Sequence, residues 1–270
     1  MNSKIKFLSW ALTALLMCAN FISCSDDDDD DDPLSSGDSS NAKPEAVDLG
    51  LPSGTLWATF NVGATSSEEY GDYFAWGELE PHYADGHSQD TPCGDWRDGY
   101  RGYNWATYKF TNDGGSTFTK YTIDGTTELE DADDVAAQKW GSKWRIPTKE
   151  QITELENNCY WIWTNNYNDT NVSGCIVYKA KADADKGKSN RTPAATYDVA
   201  TDAHIFLPAA GCRFTEALYD VGSGGYYWSR SLGTSYSYDA RYLGFYSGGV
   251  YSNLDNRSLG RSVRAVQRKN

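Results

Sequence analysis

The chain has 270 residues, of which 39% are hydrophobic and 14% aromatic, and its formal net charge is −14. So acidic a chain repels phosphate backbones and anionic lipid surfaces, which excludes nucleic acid as a partner and electrostatic docking as a membrane anchor. With 19 Tyr, 10 Trp and 25 Gly, the composition suits a β-rich core closed by aromatic rings rather than by Leu-rich helices.

Lys4 and Lys6 precede an apolar run over residues 7–17, the charged-then-apolar order of a secretory signal. The run is too short to span a bilayer. Phe21-Ile22-Ser23-Cys24 closes it and resembles a bacterial lipobox, which implies a signal peptide over residues 1–23 and lipidation of Cys24. Cys18, preceded by bulky Met17, fits that pattern less well. Ser25 and the aspartates Asp26 to Asp32 follow, and they resemble the export signal that sends lipoproteins of the Bacteroides group to the outer leaflet of the outer membrane. The expected address is therefore the outer membrane, lipid-anchored and exposed at the cell surface. Residues 24–45 read as an Asp/Ser-rich disordered tether with almost nothing apolar to bury. One domain follows, over residues 46–268. Beyond residue 45 the chain still holds 21 basic and 29 acidic residues.

Within the domain, Val47, Leu49 and Leu51 alternate with polar or small residues, Pro52-Ser53-Gly54 signals a turn, and residues 56–60 resume an extended pattern. Further strands are expected at 73–76 and 105–110, the latter among long loops. Residues 133–140 read as a helix with acids in the first turn and Gly141 as a stop. Residues 149–157 read as a second helix, with Thr148 and Gln151 forming a capping box and Ile152 and Leu155 on one side. Strands are then expected at 160–164, 175–180, 204–207, 226–229, 241–246, 250–253 and 262–266. Ser247-Gly248-Gly249 marks a hairpin turn.

The order of motifs resembles a known family. Residues 48–58 (DLGLPSGTLWA) open it, followed by residues 70–78 (YGDYFAWGE), Trp140-Gly141, residues 144–148 (WRIPT), residues 206–211 (FLPAAG), Tyr227-Trp228-Ser229 and residues 262–266 (SVRAV). This run is similar to the Fibrobacter succinogenes major paralogous domain, which is common in lipoproteins of gut Bacteroidetes. The resemblance implies an α+β, C-type-lectin-like fold: a twisted antiparallel sheet with two short helices and long loops. Formylglycine-generating enzymes share that fold group, but they use a cysteine pair late in the chain. Only Cys212 lies there, so their chemistry does not carry over.

Catalytic and metal constellations are thin. The histidines are His82, His87 and His204, and His204 sits in an apolar strand with no nucleophile beside it. No pair of carboxylates has a glycosidase context. Residues 182–187 start like a calcium loop, but Lys186 and the missing downstream acids break the pattern. Glu80-Pro81-His82 and residues 253–256 likewise depart from lectin calcium signatures. No metal and no cofactor is expected. Beyond Cys24, an oxidising compartment allows one or two disulfides among Cys93, Cys159, Cys175 and Cys212, in any of three pairings. Arg145 and Arg264 read as structural ion-pair partners, and Tyr227 and Trp228 as core.

The binding signal lies between residues 219 and 251, where eight tyrosines are mixed with Ser, Gly, Asn and Arg, the vocabulary of antibody loops. Arg230, Tyr236, Tyr238, Asp239, Tyr246, Tyr251, Asn253, Asp255 and Arg257 are the candidate ligand contacts. The expected function is a non-enzymatic, adhesin-type module that recognises a glycan or a protein through this face. The alternative is a structural subunit of a surface appendage or of a glycan-uptake complex.

Overall fold

The computed structural model describes residues 42–82, 102–215 and 217–268. Residues 1–23, expected as a signal peptide, Cys24 and the aspartate tract lie outside these residues, as do His87 and Cys93.

β1 (Ala46–Asp48) and β2 (Thr55–Ala58) pair antiparallel with Val47 opposite Trp57. The Gly54 N–H donates to the Leu51 carbonyl at 2.9 Å to close the turn between them. Gly54 sits at φ 73°, a left-handed conformation that carries no Cβ penalty for glycine. α1 (Val135–Trp140) starts two residues later than expected, because Asp134 is its cap. The buried Asp134 carboxylate accepts from the N–H groups of Ala136, Ala137 and Ile146 at 3.0, 3.2 and 2.9 Å. Asp131–Asp133 forms a single 3-10 turn ahead of it. α2 (Lys149–Asn158) carries the expected capping box between Thr148 and Gln151, and it buries Ile152 and Leu155.

β3 (Cys159–Tyr167), β4 (Val172–Lys179) and β5 (His204–Pro208) form one antiparallel sheet in that order. Strand alternation sends Trp161, Cys175, Val177, Ile205 and Leu207 to the face that packs with Ile152 and Leu155 of α2. The opposite face carries Tyr160, Tyr178, Phe206 and Tyr167, with Tyr197 packed against them. β6 (Cys212–Phe214) and β7 (Ala217–Tyr219) form a short hairpin that the sequence reading did not anticipate. Its turn carries Thr215 at φ 51° and has no Gly, Pro, Asn or Asp to announce it.

β8 (Gly224–Leu232), β9 (Asp239–Tyr246) and β10 (Gly249–Asn256) make a second three-stranded sheet. The expected hairpin turn is there, with Tyr246 opposite Gly249. β11 (Val266–Arg268) returns to β2, so the first and last strands of the domain share the sheet β1-β2-β11.

The α+β, C-type-lectin-like expectation is overturned. The described residues are mostly β, with two short helices and four small antiparallel sheets that do not close, and no specific fold is identified. The physical reason lies in how the aromatic segments are held. Residues 73–76 make no strand, only a bridge from Phe74 to Arg261, and residues 105–110 are turns. Ring donors bond distant main-chain carbonyls instead. Tyr73 Oη donates to Ala210, Tyr103 Oη to Tyr73 and Tyr108 Oη to Trp76, at 2.5, 2.6 and 2.8 Å. Trp76 Nε1 reaches Ser229 and Trp228 Nε1 reaches Phe74, at 2.7 and 2.8 Å. These carbonyls accept from buried side chains, and only that of Phe74 also receives a main-chain N–H, from Arg261 at 3.0 Å, so these segments do not extend into a single large sheet.

Arg213, Arg257, Arg261 and Arg264 are all fully buried. Arg264 donates to Asn61 Oδ1 and to the carbonyls of Ala58, Thr59 and Phe206, at 2.9 to 3.1 Å. Its partners are neutral acceptors and not the acid expected from sequence. Burial lowers its pKa to about 10. Arg145 does pair with an acid, through a two-pronged contact to Asp131 at 2.9 and 2.7 Å. Cys159, Cys175 and Cys212 are all free thiols, so no disulfide joins cysteines among the described residues.

Candidate functional site

The β8–β9–β10 sheet has two unlike faces. One carries Tyr227, Leu243, Phe245 and Val250, which pack into the core with α2. On the other, register aligns Tyr226 and Trp228 of β8, Tyr242, Gly244 and Tyr246 of β9, and Tyr251, Asn253 and Asp255 of β10. Tyr251 lies directly opposite Gly244. The missing side chain leaves room for its ring, since a Cβ on Gly244 would stand 2.5 Å from Tyr251 Cζ. The rings form a connected run, with centroids 6.0 Å apart for Tyr226–Tyr242, 6.2 Å for Tyr242–Tyr251 and 6.3 Å for Tyr246–Tyr251. The run goes from core to solvent: Tyr242 is 6% exposed and Tyr246 is 51% exposed.

Charges fix its edges. Arg261 places its guanidinium 3.6 Å from the Tyr242 centroid and ion-pairs with Asp255. The Tyr226 hydroxyl donates to Asp220 Oδ2 at 2.7 Å. Burial first, and then the Asp220 bond, push the Tyr226 phenol well above its usual range. Burial, then the neighbouring Tyr242, push Tyr251 up to about 12. Burial, then the Asp255 charge, raise the Asp239 carboxyl. Phenols held neutral in this way present ring faces and hydroxyl donors. Beside Asp220, Phe214 and Tyr219 of the β6–β7 hairpin and Val221 after it are exposed.

The nine candidate residues do not form one site. Tyr246, Tyr251, Asn253 and Asp255 share the ring face just described. Tyr236 and Tyr238 lie in the loop between β8 and β9, stacked on each other at 5.0 Å and 12°. Asp239 starts β9 beside that pair and close to Asp255, which lies opposite Ala240, whereas Tyr246 ends the strand, at strand rise about 24 Å from Asp239. Arg230 faces a different, polar cleft lined by Glu128, Asp131 and Arg145. Arg257 is not on any surface. It is fully buried, donates to the carbonyls of Tyr121 and Lys120 at 2.7 and 2.9 Å, and lies 4.0 Å over the Phe118 ring. Sequence reasoning omitted Tyr226, Tyr242, Asp220 and Arg261. Hairpin register counted from the Ser247-Gly248 turn would have found Tyr242. Nothing local points to Arg261, which reaches the face through the tertiary fold.

The residues weighed for other chemistry are engaged elsewhere. His204 bonds the Tyr167 hydroxyl and the Asp202 carbonyl, at 2.9 and 2.8 Å. His82 lies 2.5 Å from Glu78 and stacks on Tyr103. In the calcium-like loop, Asp183 pairs with Lys186, and Asp185 accepts from Ala194, Ala195 and Tyr197. No cluster of His, Cys, Asp or Glu suited to a metal ion occurs among the described residues.

No protein-family model, no curated protein and no solved structure matches this chain.

Proposed function

We propose that this protein is a lipid-anchored binding module of the outer cell surface, which takes a glycan or a protein ligand on the tyrosine face of the β8–β9–β10 sheet. The observation that carries the reading is the connected run Tyr226–Tyr242–Tyr251–Tyr246 on one sheet face, which leads from the buried Tyr242 through the half-buried Tyr251 to the exposed Tyr246. Ring faces of this kind stack on the apolar faces of sugars and on protein side chains at low entropy cost. Asn253, exposed on the same face, adds a polar edge. The lipobox-like Cys24 and the aspartate tract support the surface address, and a flexible tether would hold the face clear of the membrane. The family resemblance of residues 48–266 is part of the same proposal. The test is a glycan array and a protein pull-down with the purified protein, each repeated with Tyr246→Ala and Tyr251→Ala. Capture that is lost in both variants supports the reading. Capture that survives both removes this face from consideration.

A further inference from the structure

An uncharged cleft of about 610 Å³ opens on the face of the β3–β4–β5 sheet that is turned away from α2. Ile162 opposite Ile176 forms its floor, and Tyr160 opposite Tyr178 continues the same strand pair. Ile162 is 37% exposed, while the other three are buried. Residues 192–197 make the facing wall. No charged residue lines the cleft among the described residues, in a chain with 24 basic and 38 acidic ones. The wall is clamped in place. The buried Asp185 carboxylate accepts from the Ala194 and Ala195 N–H groups and from the Tyr197 hydroxyl, at 2.5, 3.0 and 3.0 Å. Lys188 and Lys181 donate to the carbonyls of Thr192 and Thr196, at 3.5 and 2.9 Å. The Tyr197 ring stacks on Tyr160 with centroids 4.6 Å apart. The nearby charges are thus spent on holding the wall. Two lining hydroxyls are engaged as well: that of Tyr160 donates to the Arg191 carbonyl, and that of Thr164 accepts from the Asn166 N–H. The Tyr178 hydroxyl makes no hydrogen bond among the described residues and is open to solvent, although the residue is only 4% exposed. The hydroxyls of the exposed Thr192 and Thr196 are likewise unengaged.

The volume is that of a small-molecule site, and a mainly apolar lining with a few placed polar groups is what such sites carry. The lining also selects by charge. An ion would give up its water here and meet no counter-charge, whereas a neutral ligand gives up little. A saccharide, with a hydroxyl on nearly every carbon, would leave most of its polar groups unpaired against an aliphatic floor. We propose that this cleft is a second ligand site, separate from the tyrosine face, which takes a neutral, mainly apolar small molecule carrying a hydroxyl or carbonyl group. The apolar body lies on Ile162 and Ile176 against residues 192–197, and the Tyr178 hydroxyl bonds the polar group. A phenol can donate or accept, so it serves a hydroxyl and a carbonyl alike.

The test is calorimetric titration of the full-length protein at pH 7 with 2-naphthol, a neutral hydroxyl-bearing ring system, and with 2-naphthoate, the same rings carrying a charge. All variants are titrated in the same detergent, so partitioning of the probe into micelles cancels. 2-Naphthol should bind, and 2-naphthoate should bind at least tenfold more weakly. Ile162→Glu, which puts a charge on the floor, should weaken 2-naphthol at least tenfold. Tyr178→Phe, which removes only an unbonded hydroxyl, should weaken it several-fold with an unchanged thermal midpoint, and it decides alone if Ile162→Glu does not fold. Tyr246→Ala should leave binding unchanged. No binding of 2-naphthol, equal binding of 2-naphthoate, or affinity insensitive to Tyr178→Phe overturns the assignment. Loss of binding in Tyr246→Ala would move the ligand to the tyrosine face and overturn it too.

Discussion

Gly244→Ala tests the tyrosine face without removing a tyrosine. The added Cβ would lie 2.5 Å from Cζ, 2.7 Å from Cε2 and 2.8 Å from Oη of Tyr251. These atoms are the far end of one side chain, so the ring swings away and the backbone stays. Tyr251 then loses its contacts with Tyr242 and Tyr246, at 6.2 and 6.3 Å. Each aromatic pair is worth about 0.5–1.5 kcal/mol, so urea unfolding should show a stability loss of about 1–3 kcal/mol. The ring leaves the face, and losing about 1.4 kcal/mol of stacking weakens a ligand about tenfold. A spectrophotometric phenol titration gives a readout that needs no ligand. Tyr251, pushed up to about 12 by burial and then by Tyr242, should fall toward the ordinary value of about 10. If its titration stays near 12, the close seat of the ring on Gly244 is wrong. If the phenol shifts and ligand affinity does not, the face is not the binding site.

Arg264→Met strands the carbonyls of Ala58, Thr59 and Phe206 and the Asn61 amide oxygen, and it should cost roughly 3–5 kcal/mol in urea unfolding. Arg145→Ala breaks a half-exposed ion pair with Asp131 and should cost under about 1 kcal/mol in the same assay; equal costs would contradict the division between core and surface arginines. Burial tends to raise the Asp185 carboxyl, but the N–H groups of Ala194 and Ala195, the Tyr197 hydroxyl and the Lys188 ammonium outweigh it and hold it below the usual range. Its contribution is therefore present above the unfolded-state value of about 3.9 and is lost as pH falls through the lower folded value. Asp185→Asn should remove that acid-side dependence, read as the difference in unfolding midpoint between pH 7 and pH 3. Burial pushes the Cys159 thiol up to about 12 and the Cys175 thiol higher still, so peptide-mapped alkylation at pH 8 should label neither in the folded protein and both in urea; rapid native labelling would refute their burial.

The sequence reading and the structure agree where a signal is local. The capping box at Thr148 and Gln151 needs only residues within one turn, and α2 begins where it says. The turn at Pro52-Ser53-Gly54 and the hairpin at Ser247-Gly248 were legible for the same reason. The β6–β7 hairpin was not, because its turn uses Thr215 at a positive φ with no glycine to mark it. Residues 73–76 and 105–110 have the aromatic composition of strands, yet Trp76, Tyr103 and Tyr108 spend their polar atoms on carbonyls far along the chain. The family-based fold expectation failed on the same point, since motif order does not say which carbonyl a ring will meet.

Arg230, Arg257 and Arg261 make the contrast sharpest. All three lie in the Tyr-, Ser- and Arg-rich C-terminal part of the chain, and from sequence alone their surroundings look alike. Composition by itself determined a β-rich, aromatic and acidic domain, because those properties are sums over residues. Register by itself determined which tyrosines share a face. Only the tertiary structure sent Arg257 into the core over Phe118, Arg261 under Tyr242 and Arg230 to the base of a polar cleft. A guanidinium is planar and stacks as readily on a buried ring as it pairs with an exposed acid, so its location is decided by which rings and carbonyls the fold brings to it.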